Sequence, residues 1–142
     1  MSAAIHFFTP EIDFQVAHEE AVKAWIKALT KQHRHAIQEL NFIFVSDAHL
    51  LEMNNQHLQH DYYTDILTFA YEENPIQGDI YISVDRVKDN ADKLNSSFDD
   101  ELHRVMAHGI LHIIGYDDHE ESDIKQMREA EDDALSSRDF IS

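Results

Sequence analysis

Three histidines are spaced as the ligands of a single metal ion. His108 and His112 stand four residues apart within 106–114, where apolar residues recur at helical spacing. Side chains four apart on a helix project from one face and lie close enough to bind one ion. Gly115 is placed to end that helix in a left-handed cap, and the chain beyond it can return His119 toward the same face. The spacing therefore predicts a metal site made of these three imidazoles.

The chemistry expected of such a site is hydrolytic. Three protein nitrogens leave the fourth tetrahedral position of Zn²⁺ open to water, as in catalytic rather than structural zinc sites. Bound Zn²⁺ lowers the pKa of that water to about 7, which makes hydroxide available near neutral pH. The chain has no cysteine, so thiolate ligands are excluded. We expect one Zn²⁺ ion, with Asp117 or Asp118 as the general base.

Gly109 distinguishes this pattern from that of the zinc proteases. In those enzymes the residue after the first histidine is the glutamate that acts as general base. A glycine within a helix costs about 1 kcal/mol relative to alanine, so Gly109 predicts close approach of a substrate or of another backbone. The missing glutamate argues against a metalloprotease, which stays open as the alternative hydrolase.

The elements that must position these residues alternate in type along the chain. Apolar and β-branched runs predict strands at 5–8, 39–45, 65–71 and 79–84. Helical periodicity and N-caps predict helices at 16–29, 46–58, 83–94, 99–114 and 122–135. This order predicts a mixed four-stranded sheet with helices packed on it, the third and fourth strands being antiparallel. We expect one α/β (α+β) domain over residues 1–142, with a zincin-like histidine helix.

The histidine segment resembles the signature of a known family. Residues 106–119, MAHGILHIIGYDDH, are similar to H-G-x-L-H-L-x-G-Y-D-H of the YbeY endoribonucleases. Two upstream blocks resemble that family as well: DYYTDILTF at 61–69 is similar to D-x-P-T-D-V-L-S-F, and GDIYIS at 78–83 to G-D-I-x-I-S. The resemblance implies an α/β fold whose mixed sheet supports the histidine helix. It also implies a zinc-dependent endoribonuclease, specific for single strands, that acts in ribosomal RNA maturation and ribosome quality control.

One departure from the family motif affects the third ligand. The loop between the second and third histidines is one residue longer here, because Asp117 and Asp118 stand where the motif has a single aspartate. Either carboxylate could replace His119 as the third ligand. We favour His119, because a loop readily absorbs one extra residue.

A second departure concerns the phosphate. The resemblance implies an arginine that holds phosphate, and Leu58 stands in its place, so His57 or His60 could take over part of that role. Asp65 opens a predicted strand and Asp79 begins another. Each is predicted either to face the substrate cleft or to serve a local structural purpose.

Charge and composition restrict the partners. The formal net charge of −17 leaves little of the basic surface on which RNA binding normally depends. Candidate RNA contacts are the following cations: Lys23, Lys27, Lys31, Arg34, Arg86 and Lys88. The acidity suits a basic ribosomal protein as partner, so a non-catalytic, ribosome-associated factor with a structural metal is a third interpretation. With no secretory signal and no apolar run of the roughly 20 residues that span a membrane, we expect a cytoplasmic protein without membrane contact.

Overall fold

The computed structural model describes residues 4–58, 64–117 and 119–140, the side chains of His57 and Leu58 excepted. The elements follow in the order β1 (Ala4–Phe8), α1 (Glu19–Gln32), β2 (Ile37–Val45), α2 (Asp47–Leu58), β3 (Ile66–Glu73), β4 (Ile76–Ser83), α3 (Val84–Leu94), α4 (Phe98–Ile113) and α5 (Glu121–Ser136). This is the predicted order. The predicted helix at 16–29 is displaced to α1, because the left-handed conformation of His18 (φ 57°) precedes its first turn.

The four strands form one mixed sheet in the order β1-β2-β4-β3. β2 is parallel to both β1 and β4, whereas β3 is antiparallel to β4. Parallel neighbours need a crossover connection, and here helices supply it, while β3 and β4 are joined by a short turn at Asn74 and Pro75. The predicted mixed sheet, its antiparallel pair and the α+β class are therefore confirmed.

The main hydrophobic core lies on one face of this sheet. Alternate residues of the central strands are buried there, including Leu40 and Phe42 of β2 and Ile80 of β4. They pack against Met106 and Ile110 of α4 and against the apolar side of α1. A smaller cluster on the opposite face covers the sheet with α2. The histidine helix is thus fixed on the sheet by buried side chains.

Both ends of α4 are closed by the local sequence. The Ser97 Oγ accepts a hydrogen bond from the Asp100 N–H at 3.0 Å, which caps the first turn. At the other end Gly115 has φ 115°, and the Tyr116 N–H donates to the Leu111 carbonyl at 2.9 Å. This is the glycine-dependent Schellman cap, and the predicted end of the helix is confirmed.

Gly109 lies where α4 crosses the sheet. A Cβ at this residue would stand 2.9 Å from Ile66 Cδ1 and 3.0 Å from Ile80 Cδ1. A Cβ there would require the Ile66 and Ile80 side chains to shift by a few tenths of an ångström, so the glycine lets α4 lie close against the side chains of β3 and β4. The prediction that a substrate or another backbone approaches Gly109 is therefore wrong.

α5 completes this layer by packing beside α4. The Trp25 Nε1–H of α1 donates to the Ala134 carbonyl of α5 at 2.8 Å, so the first and last helices are joined directly. Among the residues described, no helix is both long and apolar enough to cross a bilayer.

Candidate active site

α4 presents the first two predicted ligands one turn apart. The His108 side chain is 28% exposed, and His112 is exposed in the last turn of the helix. Neighbouring residues Met106 and Ile110 are fully buried in the core, which fixes the helix and with it the direction of both histidines. A metal or substrate site gains precision from such a rigid support.

A buried carboxylate on α5 orients the His108 ring. Glu131 Oε2 lies 2.8 Å from His108 Nδ1, and the Glu131 side chain is only 6% exposed. When Nδ1 carries the proton that this bond uses, Nε2 carries the lone pair available to a metal. Carboxylates commonly orient metal-ligating histidines in this way. His108 is therefore held in a manner that suits a ligand.

Arg104 supports the same carboxylate from one turn earlier on α4. Its Nη1 donates to Glu131 Oε1 at 3.0 Å, and its Nη2 donates to Asp132 Oδ1 at 2.8 Å. Burying an unpaired carboxylate is costly, and charge-assisted bonds of this kind offset that cost. Arg104, Glu131 and His108 thus form a chain of contacts that joins α4 to α5.

A cavity of about 280 Å³ opens beside His108 between α4, α5 and the residue before β3. Burial raises the pKa of Asp65, and the charge of His108 opposes that shift. Burial, followed by the charge of Asp65, also raises the pKa of Glu101. Perturbed carboxyl groups collected around a histidine are typical of functional sites. The lining residues are Asp65, Ile66, Glu101, Arg104, Val105, His108, Arg128 and Glu131.

The third predicted ligand does not meet the first two. The His119 side chain is 77% exposed, and its Nε2 lies 3.2 Å from Asp117 Oδ1. Asp118 lies outside the described residues. Within 4–58, 64–117 and 119–140, no three His, Asp or Glu residues lie together in a way that could hold a metal ion. The structure places His108 and His112 on one helix, and His119 with Asp117 on the following loop.

Some of these site residues were not found from the sequence. Glu101, Arg104, His108 and His112 recur at three- and four-residue intervals on an otherwise largely buried helix. That stripe of ionisable side chains is a signal from which Glu101 and Arg104 could have been predicted. Glu131 had no comparable local signal, because its contact with His108 joins residues 23 apart in the chain.

The two carboxylates predicted to face the cleft or to act locally have different outcomes. Asp65 lines the cavity, and its Oδ2 accepts a hydrogen bond from Asn90 Nδ2 at 3.4 Å. Asp79 instead accepts from Asn41 Nδ2 at 3.0 Å and from the Tyr71 hydroxyl at 3.1 Å. Because side chains alternate along β4, Asp79 faces away from the buried Ile80 side. The side chain of His57, and His60 entirely, lie outside what the structure describes.

Known proteins share this fold and sequence over nearly the whole chain. The family model described as Endoribonuclease YbeY matches residues 5–139. The chain belongs to the YbeY family. Endoribonuclease YbeY of Cytophaga hutchinsonii is 47% identical over 138 residues, 96% of each chain. That of Parabacteroides distasonis is 42% identical over 134 residues, 94% of each chain.

A solved structure of similar sequence has the same fold. The solution structure of TM1509 from Thermotoga maritima has a TM-score of 0.67 and 30% identity, over 93% of this chain and 87% of its own. The YbeY resemblance drawn from the motifs is therefore confirmed, and with it the prediction of an endoribonuclease. Gly109 agrees with an endoribonuclease rather than a zinc protease. It stands where a zinc protease has its catalytic glutamate, and here that position is packed against the sheet.

Proposed function

We propose that this YbeY-family chain is a zinc-dependent, single-strand-specific endoribonuclease that acts in ribosomal RNA maturation and ribosome quality control. The observation that carries the metal dependence is the 2.8 Å contact between buried Glu131 and His108, one turn from His112 on the same helix. The whole chain, 1–142, acts as one YbeY-like domain in this proposal. The relatives' names support RNA as the substrate.

The donor set fits Zn²⁺. His108, His112 and His119 would hold one ion through neutral imidazole nitrogens, which zinc accepts readily. His108 already has the carboxylate partner that ligating histidines use. When bound, the ion supplies Lewis acidity toward a phosphodiester oxygen and a lowered pKa for water. In the proposal, binding replaces the contact between His119 and Asp117.

The chain's own residues supply the rest of the site. Glu131 and Arg104 keep the His108 ring in place. Arg128 brings a guanidinium to the cavity wall, where it can contact a phosphate that the missing family arginine would otherwise hold. Asp117, or Asp118 beside it, takes the proton of the attacking water at a carboxylate oxygen.

Ribosomal partners and a cytoplasmic location belong to the same proposal. The net charge of −17 disfavours broad attraction to RNA, so docking on a basic ribosomal protein would bring the site to its substrate. A cytoplasmic ribonuclease of this kind would meet ribosomal RNA where ribosomes are assembled.

Removing the second ligand tests the proposal. We expect His112→Ala to lower single-stranded RNA cleavage by roughly a hundredfold or more, because two ligands hold zinc far less tightly than three. Chelation of the wild-type protein should have the same effect, and Zn²⁺ should restore the activity. Elemental analysis should find one zinc ion per chain.

His6→Ala is the matched control, since His6 is also exposed but lies on β1, at the opposite edge of the sheet from β3. It should cleave RNA as the wild type does. Full activity in a purified, metal-free His112→Ala protein would disprove the proposal. Cleavage of double-stranded RNA at the same rate would remove its single-strand specificity.

A further inference from the structure

We propose that the end of α1 is a second binding site, which holds the phosphate backbone of the RNA strand away from the cavity beside His108. A separate cavity of about 530 Å³ lies between α1, the start of β2 and the β3–β4 turn. This basic site is defined by Lys27, Lys31 and Arg34 on its wall, together with Thr30, Ile37 and Asn74. The inference rests on the proposed function and gives that function its substrate contact.

The cations of the basic site are available to a ligand. In a chain with 28 acidic residues, most other cations already face carboxylates: Arg86 Nη2 lies 2.7 Å from Asp47, and Lys23 Nζ 3.7 Å from Glu19. Across the described ranges, Lys27, Lys31 and Arg34 make no ion pair, and all three are exposed. Unpaired cations collected at one place form a local positive potential in an otherwise negative protein.

Arg34 occupies a backbone position that suits glycine. It has φ 63°, its N–H donates to the Lys31 carbonyl at 2.9 Å, and the next N–H donates to the Thr30 carbonyl at 2.9 Å. This Schellman cap also ends α3 and α4, where the left-handed residue is Asn95 or Gly115, the two types usual there. The helix dipole favours a cation in the last turn, but it does not explain an arginine in the left-handed position itself.

The wall of the basic site is held by hydrogen bonds rather than by the cations. The Ala36 N–H donates to Asn74 Oδ1 at 3.1 Å, and the Ile76 N–H donates to the Ala36 carbonyl at 2.7 Å. The nearby Glu73 carboxylate pairs with His35 Nε2 at 3.4 Å. The lysine and arginine head groups are therefore not needed to close the structure here.

The basic site continues toward the loop that carries His119. The ring of His33, next to Arg34, contacts the ring of Tyr116 edge-on at 5.7 Å between centroids. Tyr116 directly precedes Asp117. A strand bound near the histidines can thus pass this loop and reach the cations at the end of α1. Phosphate groups complement these cations, and single-strand binding sites commonly track the nucleic-acid backbone with a positively charged groove.

The test compares RNA length in the full-length, metal-loaded protein. A substrate of about 6 nucleotides occupies the cleavage site alone, whereas one of about 20 nucleotides reaches the basic site. We expect Lys31→Gln to raise KM for the long RNA about threefold, and Lys27→Gln with Lys31→Gln about tenfold, with kcat unchanged. The short RNA should show no change. The slope of log KM against log salt should fall by about 0.7 for each lost contact.

Lys93→Gln is the matched control, because Lys93 is likewise an exposed lysine in the last turn of its helix, α3. It removes the same charge and should leave KM for the long RNA unchanged. If Lys31→Gln and Lys93→Gln have the same KM for the long RNA, the proposed basic site is overturned, while the proposed nuclease function is unaffected. A wild-type protein that cleaves neither RNA would instead overturn the proposed function and this proposal together.

Arg34→Gly separates binding from folding. Because glycine suits the left-handed cap better than arginine, we expect the midpoint of thermal unfolding to rise by roughly 2–5 °C. KM for the long RNA should rise about threefold at the same time. A more stable variant with unchanged KM would assign Arg34 no part in RNA binding and overturn the proposal. A Lys31→Gln variant that no longer binds a polyglutamate resin, yet has an unchanged KM for the long RNA, would also overturn the proposal. That result would indicate an acidic protein partner.

Discussion

At the scale of single residues, the site depends on what surrounds His108. A histidine at a helix surface ordinarily samples several rotamers, and each lost rotamer has an entropic cost. The hydrogen bond that His108 makes to buried Glu131, itself held by Arg104, imposes that restriction before any ligand arrives. Within the part of the chain that the structure describes, no carboxylate restricts the exposed His112 in this way. The two helix histidines are therefore unequal, with His108 the better prepared.

Glu131→Gln tests that arrangement. The amide has the shape of the carboxylate but brings an N–H₂ group toward either Arg104 or His108, both of which donate. We expect zinc affinity, measured by competition with a chelator, and RNA cleavage each to fall about 10- to 100-fold.

The control for this change is Asp132→Asn. Asp132 also accepts from Arg104, at 2.8 Å, but its side chain is 57% exposed and its contact does not extend to His108. An exposed ion pair contributes at most about 1 kcal/mol, so activity should hardly change. Equal losses in the two variants would show that Arg104, and not the orientation of His108, controls the site.

At the scale of elements, α4 connects the core to the site. Its sheet-facing side is closely packed at Gly109, and its other side carries the ionisable stripe from Glu101 to His112. A change in the distance between α4 and the sheet would move both histidines at once, since they share one rigid helix. The glycine sets that distance.

Gly109→Ala should destabilise the protein. Alanine gains about 1 kcal/mol of helix propensity, but overpacking costs about 1–3 kcal/mol, since Ile66 and Ile80 must move. We expect a net loss of about 1 kcal/mol in the free energy of unfolding, measured with urea. In an Ile66→Val background, which lacks the methyl group 2.9 Å away, the loss should shrink or vanish. Strictly additive effects of the two substitutions would contradict this account of the contact.

At the scale of the whole molecule, His103 lies where the first helix, α4 and the C-terminal residues meet. It is 2% exposed, packs against Trp25 and Phe140, and its Nδ1 accepts from Arg138 Nη1 at 2.8 Å. Burial, aided by the charge of Arg138, lowers its pKa to about 4. The folded protein therefore contains a neutral histidine that the unfolded chain would protonate.

Acidification should weaken the fold through this residue. The folded pKa of about 4 lies below the ordinary value of 6.5, so the unfolded state binds the extra proton between those values. Stability is then complete above pH 6.5 and is lost as the pH falls toward 4. We expect the wild type to lose about 2 kcal/mol more than His103→Gln between pH 7 and pH 5 in urea unfolding. The glutamine oxygen can still accept from Arg138. Parallel pH profiles would contradict the assignment.

Much of the fold followed from local sequence. Strand and helix order came from hydrophobic periodicity, and the end of α4 came from Gly115, because these signals act within a few residues of one another. The family came from motifs around His108 and His112, whose shared helix the structure retains. The zinc ligands His108, His112 and His119 stay a prediction, as do Asp117 and Asp118.

Other features were decided only by the tertiary structure. That Glu131 holds His108, that Gly109 meets the sheet and that Asp79 faces the opposite side depend on contacts between elements far apart in sequence. Periodicity indicates which face of a helix is buried, but not which residue of another helix will lie against it. The unusual cap at Arg34 likewise became visible only with its backbone angle. Local patterns determined the elements and the family, and packing determined which side chains meet.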